Sequence, residues 1–178
     1  MRTALQLTGT EQFFSDSEII VSKTDLGGRI TYANDVFLRI SGYSEDEVLE
    51  QPHSLLRHPD MPRSIFKLMW DTLQSGSEIF AYVVNRCKNG DHYWVLAHVT
   101  PTFDTGGKIT GYHSNRRVAQ KSAIASITDI YRSLAAEERK SGQTKEGMLA
   151  AGKLLDDMLT RKNTTYGELV FSLEKAAR

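Results

Sequence analysis

Residues 79–100 read IFAYVVNRCKNGDHYWVLAHVT. Two β-rich runs, about 79–87 and 92–100, flank Asn89-Gly90, the strongest short hairpin signal in the chain. Gly106-Gly107 then turns the chain into a third run, about 108–118. Upstream, residues 18–23 and Arg29 to Tyr32 form a smaller hairpin around Asp25-Leu26-Gly27-Gly28. Between the hairpins lie helical signals. Val36, Phe37 and Ile40 share a face that stops near Gly42, and Ser44 with Glu47 fits a capping box. Ile65, Phe66, Met69, Trp70 and Leu73 recur at helical spacing over 63–74 until Gly76. Two strands, small helices and three more strands predict an α+β fold: a five-stranded antiparallel sheet with short helices on one face. Along 92–100, period two separates Tyr93, Val95, Ala97 and Val99 from Trp94, Leu96 and His98.

Residues 51–62, QPHSLLRHPDMP, hold three of the four prolines beside His53, Arg57, His58 and Asp60. Each proline fixes φ and pushes its predecessor out of the helical region. Such a stiffened loop holds polar side chains in one geometry, as a binding site needs. A rigid surface loop with solvated charges fits the same composition.

The chain has 178 residues, with 22 basic and 22 acidic side chains, so zero formal net charge argues against a general nucleic-acid binder. One cysteine, Cys87, excludes an intramolecular disulfide and fits a reducing compartment. No run approaches the roughly 18 apolar residues of a membrane span. Met1 to Phe14 lacks the apolar core of a signal peptide. A cytoplasmic protein without direct membrane insertion is expected. After Arg117 the pattern becomes helical, with stripes at Ile124, Ile127, Ile130, Tyr131 and Leu134 and at Met148, Ala151, Leu155, Met158 and Leu159. Ser141-Gly142 reads as the break between them, and Thr165 with Glu168 caps a last helix. The expected organisation is an N-terminal cap segment (1–17), a sensor domain (18–118) and a C-terminal helical extension (119–178). The extension buries its stripes on the sheet, on a partner or in a homodimer.

The strand order, the segment Thr24-Asp25-Leu26 through Ile30-Thr31-Tyr32-Ala33-Asn34 to Ser41-Gly42-Tyr43-Ser44, and the Asn89-Gly90 hairpin resemble a PAS domain. Gln51-Pro52-His53 with Arg57-His58-Pro59-Asp60-Met61-Pro62, and Asn85-Arg86 with Lys88-Asn89-Gly90-Asp91-His92-Tyr93-Trp94, resemble the sensing domain of aerotaxis receptors. The resemblance covers about residues 20–118. It implies non-covalent FAD binding, redox or energy sensing in bacterial signal transduction, and output to a chemotaxis-type transducer. It also implies cofactor-binding roles for Arg57, His58 and Asp60, and positions beside the cofactor for Asn34, His53, Trp70 and Asn85. Asp60 is alternatively a partner that orients Arg57 or His58, and Trp70 alternatively a core residue. Ile79 stands where the family carries an aromatic. The family continues into a membrane anchor and a signalling domain, which this chain lacks, so it reads as a free-standing sensor.

Three other chemistries compete with this reading. Adduct-forming light sensing needs a cysteine on the small helices, whereas Cys87 lies on a predicted strand. Haem could use His53, His58, His98 or His113 as an axial ligand. Hydrolysis has Ser, His and Asp but no Gly-x-Ser-x-Gly elbow, so no enzyme activity is expected. The expected signalling device is a change of hydrogen-bond partners at Asn85 that alters how the sheet packs against the helices beyond Arg117.

Overall fold

The computed structural model describes residues 6–142 and 144–176. Strands β1 (Ile20–Thr24) and β2 (Ile30–Ala33) are followed by helices α1 (Asp35–Ser41) and α2 (Glu45–Val48), a 3₁₀ turn (His53–Leu56) and α3 (Arg63–Gln74). Then come β3 (Ile79–Arg86), β4 (His92–Phe103) and β5 (Ile109–Val118), and helices α4 (Lys121–Lys140), α5 (Lys145–Arg161) and α6 (Tyr166–Ala176). The five strands form one antiparallel sheet in the order β2-β1-β5-β4-β3. The fold is the α+β arrangement expected.

Local chemistry explains the turns. Asn34 caps α1: its Oδ1 accepts from Phe37 N at 3.0 Å and from Val21 N at 3.0 Å, while Nδ2 donates to Ile19 O at 2.8 Å. One amide thus starts the helix and ties it to β1. Gly42 ends α1 in the left-handed region, and Ser44 and Glu47 form the capping box of α2. Pro52 and Pro62, with φ of −63° and −60°, stand immediately before the 3₁₀ turn and α3, where a missing N–H costs nothing. β4 runs on through Pro101 to Phe103. β3 ends opposite Val99, so at Pro101 β4 has a neighbour on one side only, and no ladder bond is lost there.

Period two sends alternate residues of the central strands to opposite faces. Tyr93, Val95, Ala97 and Val99 are buried on the inner face, beneath α1 and α3. The outer face meets the extension. Tyr131 on α4 stacks on Trp94 with centroids 6.4 Å apart, and its hydroxyl donates to Tyr82 O at 2.7 Å and pairs with Tyr166 Oη at 2.8 Å. Phe80 lies 4.8 Å from Phe171 of α6. α5 packs on α3. The apolar stripes therefore fold back on the chain: Ile127, Leu134, Ala151 and Leu155 are buried. The polar stretch from Glu137 is not wholly a loop, because α4 continues to Lys140 and breaks at Ser141-Gly142. Glu, Arg and Lys are good helix formers, and Glu138 has a buried task described below. Near the amino end, Gln12 N donates to His92 O and His92 N to Thr10 O, while the Asp91 carboxylate accepts from the Thr8 hydroxyl and the Gln12 amide. Gly90, at φ 97°, lies under this segment, and a Cβ there would sit 2.1 Å from Gln6 O.

Because Asn34 holds a helix cap and also bonds Val21 N in β1 and Ile19 O just before it, Asn34→Ala is expected to lower stability by about 2 kcal/mol, read from urea unfolding. A change within experimental error would show that the cap is dispensable.

Candidate functional site

A cavity of about 370 Å³ lies between the inner face of the sheet and α3 with the preceding 3₁₀ turn. That volume falls within the range of small-molecule sites, about 300–1,000 Å³. Its roof is apolar. Phe66, Met69, Trp70 and Leu73 follow i, i+3, i+4, i+7 along α3 and border the space. Trp70 meets Tyr112 edge-on at 5.2 Å. Gly28, at φ 77°, comes so close that a Cβ would lie 3.2 Å from the Trp70 ring, so this turn needs glycine for conformation and for space.

The floor is polar. Arg116 on β5 is 3% exposed. Its Nη2 donates to Ser22 Oγ at 2.6 Å and to His53 Nε2 at 2.7 Å, and its guanidinium lies 5.6 Å from the Phe37 ring centre. Accepting from Arg116 requires a lone pair on Nε2, so the neutral ring carries its proton on Nδ1. Burial, and then the Arg116 charge, push the His53 pKa down to about 3. Burial also lowers the Arg116 pKa, with Tyr93 the one group pulling it back up.

Three residues bordering this cavity each carry a buried polar atom with no hydrogen-bond partner among the described residues: Asn85 Nδ2, Ser114 Oγ and Arg116 Nη1. Native proteins pair nearly all such groups, and each orphan costs about 1–3 kcal/mol. Two are donors and the third can donate. The cleft is therefore furnished for a ligand with an apolar face and an edge of acceptors.

Four of the residues singled out from sequence border the cleft together: His53, Arg57, Trp70 and Asn85. Arg57 packs its guanidinium 4.9 Å from the Phe66 ring centre, and its backbone bridges that of Asn85 at the edge of β3. Asn34, His58 and Asp60 do not line the cleft. Asn34 is occupied by its cap. His58 follows Arg57 on extended backbone and points the other way. It is buried 5.7 Å from His92, and its Nδ1 accepts from Asp60 N at 3.2 Å. Asp60 is exposed, its carboxylate 3.8 Å from His58 Nδ1, so it serves as a partner of His58. The sequence reading missed Arg116, Ser114, Tyr112 and Ser22. Period two on β5 puts Tyr112, Ser114 and Arg116 on one face, and an arginine on an inward face was the available signal. Among the proposed axial ligands, His98 hydrogen-bonds Glu78 and stacks on Phe80, away from the cleft, and His113 borders the cleft with its Nε2 paired to Asn115. Cys87 is buried with Sγ 3.2 Å from Ile40 O, and burial raises its thiol to about 11.

Residues 30–116 match the family model of the PAS fold. Over 135 residues the chain is 44% identical to the aerotaxis receptor of Escherichia coli (strain K12), which covers 76% of this chain and 26% of that receptor. The chain contains a PAS domain. The nitrogen fixation regulatory protein of Klebsiella pneumoniae is 33% identical over 101 residues, 57% of this chain and 20% of that protein. The chain thus spans about a quarter or less of the length of these relatives. Among solved structures, the dark state of the blue-light photoreceptor Aureochrome1 LOV superposes with a TM-score of 0.53 at 24% identity, covering 68% of this chain and 84% of that one. A light-oxygen-voltage domain studied with a flavin analogue gives 0.54 at 23%, covering 62% and 84%. These two likenesses bear on the fold alone. In this PAS domain the cleft lies between the sheet and α3, and the helices after β5 are additional structure. No helix among the described residues is long and apolar enough to cross a membrane.

The depressed His53 pKa sets a pH dependence. The folded value, about 3, lies below the ordinary value of about 6.5, so the unfolded chain binds the proton first. The contribution is complete above about pH 6.5 and is lost as pH falls toward 3. Ligand-free protein is expected to lose about 1–2 kcal/mol between about pH 7 and pH 5 through this group. His53→Gln should flatten that slope in urea titrations, whereas an unchanged slope would mean that His53 does not titrate on unfolding.

Proposed function

We propose that the cleft binds a flavin, specifically FAD, and that the protein is a redox or energy sensor of the aerotaxis type rather than an enzyme. The observation that carries this reading is the pairing of an apolar helical wall with three orphaned polar atoms on the sheet floor. A planar ring system with carbonyls and ring nitrogens along one edge answers both halves. The donor set fits the group. Asn85 would pair with the polar edge of the ring, offering a donor and an acceptor. Met69 and Trp70 would supply the apolar wall, and Arg57 would meet the pyrophosphate. Bound FAD would supply a two-electron redox centre. The sequence resemblance to the aerotaxis receptor of Escherichia coli (strain K12) supports the choice.

Haem is the weaker alternative. His53 is engaged by Arg116 through Nε2, His98 pairs with Glu78, and His113, which borders the cleft, has its Nε2 paired with Asn115.

The route from cleft to output runs through α3 and α4. Pro62 precedes α3 without a side-chain cap, and the first turn of α3 is capped by another helix. Buried Glu138 of α4 accepts from Ser64 N at 2.8 Å and from Arg63 N at 3.1 Å. Its charge also acts on Arg57. A ligand that repositions α3 or Arg57 therefore acts on α4. A tenfold population shift needs about 1.4 kcal/mol of differential interaction, about one hydrogen bond. The output partner would be a separate transducer of the chemotaxis type or a further part of a longer chain, with a homodimer as a further assembly.

Purified protein should carry near-stoichiometric flavin that bleaches with dithionite and chromatographs as FAD. A haem spectrum, or protein that stays colourless after incubation with FAD, would remove the reading. Arg57→Ala should reduce flavin retention at least tenfold, while Asn85→Ser should retain flavin and change signalling more than occupancy. For the route, limited proteolysis near Ser141-Gly142 should differ between oxidised and reduced protein. Glu138→Ala should abolish that difference with flavin retained. A difference that persists in this variant places the output elsewhere.

A further inference from the structure

Arg116 is a buried cation whose neighbours supply no negative charge. Ser22 is neutral, and His53 accepts from it as a neutral ring. Its Nη1 has no hydrogen-bond partner among the described residues, and Nη1 belongs to a residue that borders the cleft. The cross-strand neighbours of Arg116 are Ile20 on β1 and Ala97 on β4. Ala97 also borders the cavity, and its small side chain leaves space beside the guanidinium. A buried charge without a counter-ion is expensive, and arginine keeps its charge in such places. Ser22 and His53 hold only one of its two terminal nitrogens, which fixes the guanidinium in place while leaving the other terminal N–H group unmatched.

We propose that Arg116 makes this cleft select the more negatively charged form of its ligand, so that ligand charge is read at the centre of the sheet. The redox arm of this proposal rests on the flavin reading above. A ring that takes up two electrons and one proton carries one more negative charge than its oxidised form. A fixed buried cation stabilises that form more than the oxidised one, because the dielectric inside the cleft is low. The protein then binds reduced flavin more tightly than oxidised flavin, and by linkage the bound flavin has a higher reduction potential than free FAD. His53 and Ser22 act as positioning residues that hold the guanidinium in place.

The test compares wild-type protein, Arg116→Lys and Arg116→Gln, each loaded with FAD and titrated with dithionite beside a reference dye. The wild-type potential should exceed that of free FAD in the same buffer. Arg116→Lys should stay near wild type. Arg116→Gln should lose at least tenfold of the preference for reduced flavin, about 30 mV for a two-electron couple. A glutamine variant that holds flavin at an unchanged potential overturns the proposal. If that variant fails to fold or to hold flavin, the wild-type value decides, and a potential at or below that of free FAD overturns the proposal. A wild-type protein that takes up no flavin defeats the functional reading instead. Two small imide rings of different charge, anionic orotate and neutral uracil, then decide the Arg116 proposal by thermal shift. Orotate should stabilise wild type at concentrations at least tenfold below uracil, with the preference lost in Arg116→Gln. Equal effects, or none, overturn it.

Discussion

A strand presents its side chains alternately to two faces, and in this molecule both faces of the sheet are in use. β3, β4 and β5 send Asn85, Ala97, Ser114 and Arg116 to a cleft on one side. The intervening residues Phe80, Tyr82 and Trp94 face the C-terminal helices on the other. This alternation cannot slip by one residue without exchanging cleft and helix interface. It also sets the cleft and the extension back to back. A change at the cleft floor and a change in packing of the extension are separated by the thickness of one sheet.

The edge of that sheet is closed from two directions. On the cleft side, Arg57 bridges β3 at Asn85, which brings the proline-stiffened segment into the wall. On the extension side, the Tyr131 hydroxyl takes the carbonyl of Tyr82 and is held in turn by Tyr166. An exposed edge strand is a pairing liability, so these contacts protect the sheet as well as join its parts. Glu138 adds a third joint, because the first turn of the cleft-wall helix draws its cap from the extension. The same bonds hold the sheet, α3 and the extension together.

The electrostatics of the cleft invert those of an ordinary core. Buried polar groups normally find partners, yet Asn85, Ser114 and Arg116, which line one cavity, each retain an atom unmatched among the described residues. A chain selected for stability alone would favour apolar residues at these positions. Their convergence on one cavity is visible only once the three strands are brought side by side.

Turn chemistry, hydrophobic period and proline placement determined the elements. The Asn89-Gly90 hairpin, the caps at Asn34 and Ser44 and the α3 stripe are local features, governed by bonds between residues a few positions apart. The proline segment and the α3 stripe drew attention to His53, Arg57 and Trp70, and the resemblance to aerotaxis receptors to Asn85; these signals marked four residues that the fold gathers. They did not separate them from Asn34, His58 and Asp60, because the direction of a side chain in an irregular segment depends on what the segment packs against. Only tertiary structure brought Arg116 to Ser22 and His53, and Glu138 to the start of α3, since 94, 63 and 74 residues separate these partners. Local chemistry acts over a few residues of chain. A site is assembled by packing, which ignores sequence distance.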